Sequence, residues 1–377
     1  MDEGSSNTEA HNAKPRLLLM GLRRSGKSSI TSVVFHRMPP TETLFLESTM
    51  RIQKESIRWV PPCSWRWAQA ELCPSSFMSF QIWDFPGQIE YLEQSSAFDV
   101  DAILGGLGAL VWVIDAQDDY VESVSRLSRT AIMIQQTYPT INIEVLIHKV
   151  DGLSEELRLD TFQDIVQRIT DELSDAGYEN APIHFYLTSI YDYSVFEAFS
   201  KVIQKLTPNL STLENLINTL TNNCGFEKTY LFDVLSKIYV ASDTGPVDMA
   251  YYEMCSDYVD VIVDISELYS WDHPQRRPKG EQMFEAESQV ILHDKTMIYL
   301  MEMNKYVVHP ISSRLIDKTS RFLCLVAVIK NPEARDKKGL IDMNCRTFQE
   351  ALNQVFARSW EDEEPETEED QPGPSNS

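Results

Sequence analysis

The octapeptide GLRRSGKS, Gly21 to Ser28, constrains this chain more than any other stretch. Two glycines, then Lys and Ser, stand between an apolar run, RLLLM (16–20), and a segment SSITSVV that reads as a helix. That arrangement matches the phosphate-binding loop. Its glycines let backbone amides turn inward around phosphate oxygens, and the following helix adds its positive N-terminal end. In this reading Arg23, Arg24, Ser25, Gly26, Lys27, Ser28 and Ser29 line the phosphates. Lys27 reaches the β- and γ-phosphates, and the Ser28 hydroxyl ligates Mg²⁺. The bland alternative is a glycine-rich strand–helix turn with no ligand, and the strand and helix context weighs against it.

Such a loop needs a sheet, and the first half of the chain supplies one. FQIWD (80–84), ALVWVID (109–115), EVLIH (144–148) and IHFYL (183–187) are short, apolar and ended by turn or polar residues. Strands covered on both faces look like this. Between them, DYVESVSRLSRTAIMIQQTY and EELRLDTFQDIVQRITDEL carry apolar residues at helical spacing. The alternation predicts a doubly wound α/β domain over residues 15–206, with TPNL (207–210) at its boundary.

The remainder has another rhythm. A helix (about 212–222), paired strands in KTYLFDVLSKIYVAS and a helix through EMCSDYVDVIVDISEL come first. Strands at SQVILHD, MIYLMEMNKYVVHP and FLCLVAVIK follow, and the helix MNCRTFQEALNQVFARSW closes the run. Adjacent strands with helices at the ends predict an α+β domain over residues 207–360. It holds no second phosphate loop, metal spacing or nucleophile–base pair, so binding is its expected task.

Composition narrows the partners. A length of 377 residues suits two domains, and 43% hydrophobic content is ample for their cores. A formal net charge of −24 repels phosphate backbones and anionic lipid, which argues against nucleic acid as a partner. Residues 1–14 form a polar tail, and residues 361–377 an acidic one containing EDEEPETEED. Both are expected to be disordered; the acidic tail is read as a solvated solubility segment, with partner binding as the alternative. The six cysteines show no metal spacing, and no signal peptide, membrane-spanning run or lipidation motif is found. The expectation is a reduced, intracellular protein with no direct membrane insertion, held at a membrane only by partners.

Two further elements name the ligand. WDFPGQ, Trp83 to Gln88, puts Asp84 at the end of an apolar strand, where a carboxylate can serve Mg²⁺, through a water in this reading. The Gly87 amide then touches the γ-phosphate, and Gln88 orients an attacking water as the catalytic residue. Next, HKVD ends the run EVLIH. Asp151 can accept from both the ring N–H and the exocyclic amine of guanine, a pair that adenine lacks. The Lys149 stem covers the base face. Thr188, Ser189 and Ile190 follow on the next strand, where a backbone amide of Thr188 or Ser189 meets the guanine carbonyl. His148 stands at the head of the loop, either as a structural residue or as a donor that braces the loop. The ligands expected are GTP and GDP with Mg²⁺.

GLRRSGKSSI, ETLFLEST, FQIWDFPGQ, VIDAQDDY, IHKVDGLS and FYLTSIYDYSVFEAFSKV together resemble the Rag GTPases, in particular the RagC/RagD (Gtr) branch. The resemblance covers about residues 15 to 357. It implies a P-loop Ras-like GTPase domain followed by an α+β roadblock-type dimerisation domain. It implies that Thr49, in LFLESTM, ligates Mg²⁺ and meets the γ-phosphate when GTP is bound. It also implies a heterodimer with a RagA/RagB-like GTPase, a Ragulator-type scaffold, a folliculin-type GTPase-activating protein, and relay of amino-acid sufficiency to the TOR kinase complex. The compartments implied are cytoplasm and lysosome surface, with the nucleus as a further one.

One segment departs from the family. RWVPPCSWRWAQAELCPSS, Arg58 to Ser76, replaces a tighter link and reads as a hairpin extension, a splice-derived insertion or an aromatic binding loop. Two rival functions remain beside the GTP switch. One is a scaffold subunit that hydrolyses slowly or not at all, favoured by Arg23, whose long side chain can crowd an inserted arginine finger. The other is an ATP-using P-loop enzyme, disfavoured by HKVD.

Overall fold

The computed structural model describes residues 16–47, 53–57, 80–84, 107–207, 209–234, 236–270, 287–303 and 323–361. The Arg58–Ser76 insertion, residues 1–14 and the tail beyond Glu361 lie outside them.

A six-stranded sheet is built first. Its strands are β1 (Arg16–Met20), β2 (Gln53–Ile57), β3 (Phe80–Asp84), β4 (Leu107–Asp115), β5 (Asn142–His148) and β6 (Ile183–Thr188). They run in the order β2-β3-β1-β4-β5-β6, parallel except for β2, which pairs antiparallel with β3. The helices are α1 (Lys27–His36), α2 (Val121–Thr137), α3 (Glu155–Asp175) and α4 (Ser194–Leu206). They cover both faces, because apolar residues on consecutive positions of the strands point to opposite sides. Leu17, Leu19, Val111 and Val113 pack with residues of α1 and α4, while Leu18, Leu110, Trp112 and Ile114 pack with α2 and α3. Burying each such side chain contributes roughly 1.5–3 kcal/mol.

The apolar runs locate these strands closely, although β4 and β5 each begin two residues before the expected segments. Strand β2 has no counterpart in the sequence reading. Its residues, QKESI, include a single apolar side chain, as an edge strand permits.

The second sheet joins β7 (Lys228–Asp233), β8 (Tyr239–Ser242), β9 (Glu287–Ile291), β10 (Met297–Glu302) and β11 (Leu323–Ile329). The order is β8-β7-β11-β10-β9, antiparallel throughout. Helices α5 (Leu210–Cys224) and α8 (Lys338–Glu361) pack on one face, α6 (Met249–Ser270) on the other, and α7 (Pro332–Arg335) is a short turn before α8. The α+β reading of this half therefore holds at the level of strands and helices. Lys228 is buried, 3.2 Å from buried Asp243, and its ammonium also donates to the carbonyls of Asp243 and Gly245. Such a charge is tolerable in a core only with that many partners.

Candidate functional site

Parallel strands place their C-terminal ends along one edge, and ligands of such sheets bind there. Register puts Asp115 beside His148, and His148 beside Thr188, so three strand ends lie in one row. The loop after β1 joins that row.

Residues 21–26 of this loop turn on three left-handed positions: Gly21 (φ 141°), Arg24 (φ 65°) and Gly26 (φ 101°). Gly21 and Gly26 are required by space as well. A Cβ on Gly21 would lie 2.3 Å from the Val113 carbonyl oxygen, and one on Gly26 2.7 Å from Cδ2 of His148. Gly26 opens α1 without a side-chain cap, and the first turn holds no acidic residue. The helix end is thus available to an anion. Lys27 is buried, its ammonium donating to the carbonyls of Gly21 (3.0 Å) and Leu22 (2.9 Å). Ser25 is buried too, and its hydroxyl finds no partner among the described residues. A buried positive charge, a helix start with no side-chain cap and an orphaned hydroxyl fit a phosphate group. Ser28 and Ser29 sit in the first turn of α1, half-buried, while Arg23 and Arg24 are exposed.

The second loop leans on the first. His148 ends β5 fully buried, its Nδ1 3.0 Å from the Thr188 hydroxyl and its ring against Gly26. Burial, helped by the Lys149 charge, lowers the imidazole pKa to about 4, so the ring is neutral near pH 7. The ring packs between Thr188 and the phosphate loop. Lys149 takes a left-handed backbone (φ 65°) and sends its ammonium back to Arg24 O (2.8 Å) and Asp115 Oδ2 (2.5 Å). The Gln117 amide holds the Lys149 carbonyl at 2.7 Å.

Asp151 is exposed, and its Oδ1 accepts from the Ser189 hydroxyl at 2.6 Å. The Tyr191 amide donates to the same hydroxyl (3.1 Å), which orients its proton toward Asp151. The carboxylate is aimed as an acceptor. The sequence points to a backbone amide of Thr188 or Ser189 as the donor to the guanine carbonyl, and the structure differs for Ser189. The Ser189 amide does not face a ligand, because it donates to the Ser194 hydroxyl at 2.9 Å, and that hydroxyl donates in turn to Asp192. Ser189 contributes its side chain instead. Thr188 likewise supplies a hydroxyl, to His148.

Asp115 and Gln117 were not among the expected site residues, yet they anchor Lys149. The available signal was the carboxylate ending the apolar run ALVWVID, as Asp84 ends FQIWD. Asp84 itself closes β3 opposite Leu19 of β1, so its backbone lies one strand from the phosphate loop. Thr49, Gly87 and Gln88 lie outside the described residues.

A phosphate loop joined through His148 and Lys149 to a strand-end loop with an aimed carboxylate defines the P-loop class of G-protein type. Comparison with known proteins agrees. The Gtr1/RagA G protein conserved region matches residues 16–259. The chain is 48% identical to mouse Ras-related GTP-binding protein C over 349 residues, 92% of this chain and 78% of that protein. It is 46% identical to Schizosaccharomyces pombe GTP-binding protein gtr2 over 346 residues, 91% of this chain and 99% of the relative. Identity to Saccharomyces cerevisiae GTP-binding protein GTR1 is 24% over 254 residues, 67% of this chain and 76% of the relative. The chain belongs to the Rag/Gtr family of G proteins, on its RagC/RagD (Gtr2) branch.

Proposed function

We propose that the chain is a guanine-nucleotide-binding regulatory GTPase that works as half of a heterodimer with a RagA/RagB-like GTPase. The observation that carries the nucleotide reading is Asp151, held as an acceptor by Ser189 on a loop whose lysine grips the phosphate loop. Guanine offers two adjacent N–H donors to such a carboxylate, and adenine does not. With the Ser189 amide engaged by Ser194, the next amide, Ile190, is the donor for the guanine carbonyl.

Lys27 and the start of α1 would take the phosphates; Ser28, Thr49 and Asp84 would hold Mg²⁺, which would neutralise phosphate charge when bound. Gln88 orients the water that hydrolyses GTP to GDP. The change of nucleotide is read by partners through the segments that carry Thr49 and Gly87. Residues 207–360 act as a roadblock-type dimerisation domain. Family membership supports the wider role: relay of amino-acid sufficiency to the TOR kinase complex at the lysosome surface, with Ragulator-type and folliculin-type partners. No helix among the described residues is long and apolar enough to cross a membrane, which suits attachment through partners.

Arg23 favours one second reading, a subunit that keeps its nucleotide with little hydrolysis. The side chain is exposed at the phosphate loop, where it can block an incoming arginine. Single-turnover hydrolysis by the purified heterodimer separates the two: turnover accelerated by an activating protein supports the switch, and none supports the scaffold. Mass analysis of the co-purified nucleotide tests guanine directly, and adenine nucleotide would overturn the base assignment.

A further inference from the structure

Strand β6 is an outer strand of the first sheet. Its register with β5 pairs Ile143 with Ile183, and the Ile143 amide donates to the Pro182 carbonyl at 2.9 Å. In a parallel ladder this turns the N–H and C=O groups of Phe185 and Leu187 away from β5. Those groups have no partner among the described residues. They form a short template on which an extended chain can pair.

A groove of about 570 Å³ runs along this edge, and its two walls differ. Ile183, Phe185 and Leu187 pack toward α3, where Phe162 and Val166 make an apolar wall. His184 and Tyr186 project to the other side, beside Lys201 and Lys205 of α4. Lys205 pairs with Glu144 at 2.8 Å, but that carboxylate is fully buried on β5 beneath it. Lys201 pairs with the less exposed Glu197 and lies over the Tyr186 ring. The outermost charges are therefore cationic, on a chain whose net charge is −24.

We propose that this edge takes an extended segment of a partner protein as an added strand, in which acidic and apolar residues alternate. Side chains of a strand point alternately to its two faces, so one set meets the Phe162–Val166 wall and the next meets Lys201, Lys205 and His184. Backbone pairing to Phe185 and Leu187 supplies the register. The chain's own residues 362–377 match the charge but offer no aliphatic or aromatic side chain except proline, which cannot donate to a strand, so they do not complete the groove.

The probe is a labelled eight-residue peptide alternating glutamate and valine, titrated by fluorescence anisotropy against the full chain in its heterodimer. Saturable binding is expected, at least tenfold tighter than for a peptide with four glutamates followed by four valines. N-methylation of the alternate amides that face β6 should abolish it without altering the protein. Lys201→Glu, at a half-buried position remote from the nucleotide site, should weaken it about fivefold while leaving nucleotide binding unchanged. Equal binding of the alternating and block peptides, or survival of the N-methylated one, would overturn strand addition. Absence of saturable binding both to the full chain and to a chain lacking residues 362–377 would overturn the site. Binding that emerges only after deletion of residues 362–377 would make the tail the occupant and overturn the partner reading.

Discussion

The ammonium of Lys149 lies 2.5 Å from Asp115 Oδ2 and 2.8 Å from the Arg24 carbonyl oxygen. One side chain thus ties the ends of β4 and β5 to the phosphate loop. The left-handed backbone of Lys149, and the grip of Gln117 on its carbonyl, set the direction of that side chain.

Asp115→Ala should release this tie. The pair is partly exposed, so its loss is worth only about 1 kcal/mol, or roughly fivefold in affinity. Stopped-flow release of a fluorescent guanine nucleotide should show faster dissociation with the guanine-over-adenine preference retained. An unchanged rate would mean that Lys149 needs no anchor.

Ser28→Asn removes the compact hydroxyl proposed as a Mg²⁺ ligand at the head of α1. GTP presents a γ-oxygen to the metal and GDP does not, so GTP affinity should fall more, by about tenfold relative to GDP. Parallel titrations in Mg²⁺ and in excess chelator measure this. If the ratio of affinities stays constant, Ser28 is no metal ligand.

Asp151→Asn exchanges an acceptor for a donor. Guanine binding should fall by at least about a hundredfold, since two N–H groups lose their acceptor. Xanthine, with a carbonyl where guanine has an amine, should gain. Competition between guanosine and xanthosine diphosphates reads the exchange, and intact guanine binding would remove Asp151 from the base site.

His148 carries a pH dependence whose sign is fixed by burial. Its pKa falls from 6.5 to about 4, so the unfolded chain binds the proton more readily. The stabilising contribution is fully present above pH 6.5 and is lost as pH falls through about 4, amounting to roughly 3 kcal/mol at the limit. Thermal melts of the wild type and His148→Asn across that range isolate the effect from the carboxylates. The stability of the wild type relative to the variant should fall as pH drops from 6.5 through about 4. Parallel curves would show that the imidazole does not titrate in this window.

Much of this site is legible in one dimension because its parts are short and local. GLRRSGKS needs only the strand before it and the helix after it, and HKVD needs only the end of EVLIH. The roles of Asp115 and Gln117 were hidden because they depend on which strands are neighbours. Only the β4–β5 register brings Asp115 level with His148 and so within reach of Lys149. Ser189 was misread for a related reason. Its amide is claimed by Ser194, five residues on, through a turn that periodicity does not reveal. Strand β2 escaped because edge strands need no apolar run.

The sheet order of the second half has a consequence for how the chain is made. Its central strand, β11, separates the β7–β8 hairpin from the β9–β10 hairpin, yet it is the last strand of the sheet to leave the ribosome. Every residue of β11 is buried, so its absence leaves two facing edges and their apolar surfaces open. The nucleotide-binding half, complete by Leu206, can fold early, whereas this sheet closes only after residue 329 is synthesised. Chains stalled before β11 should be captured by chaperones or aggregate, and a ribosome-profiling pause there would mark the vulnerable interval in the protein's biogenesis.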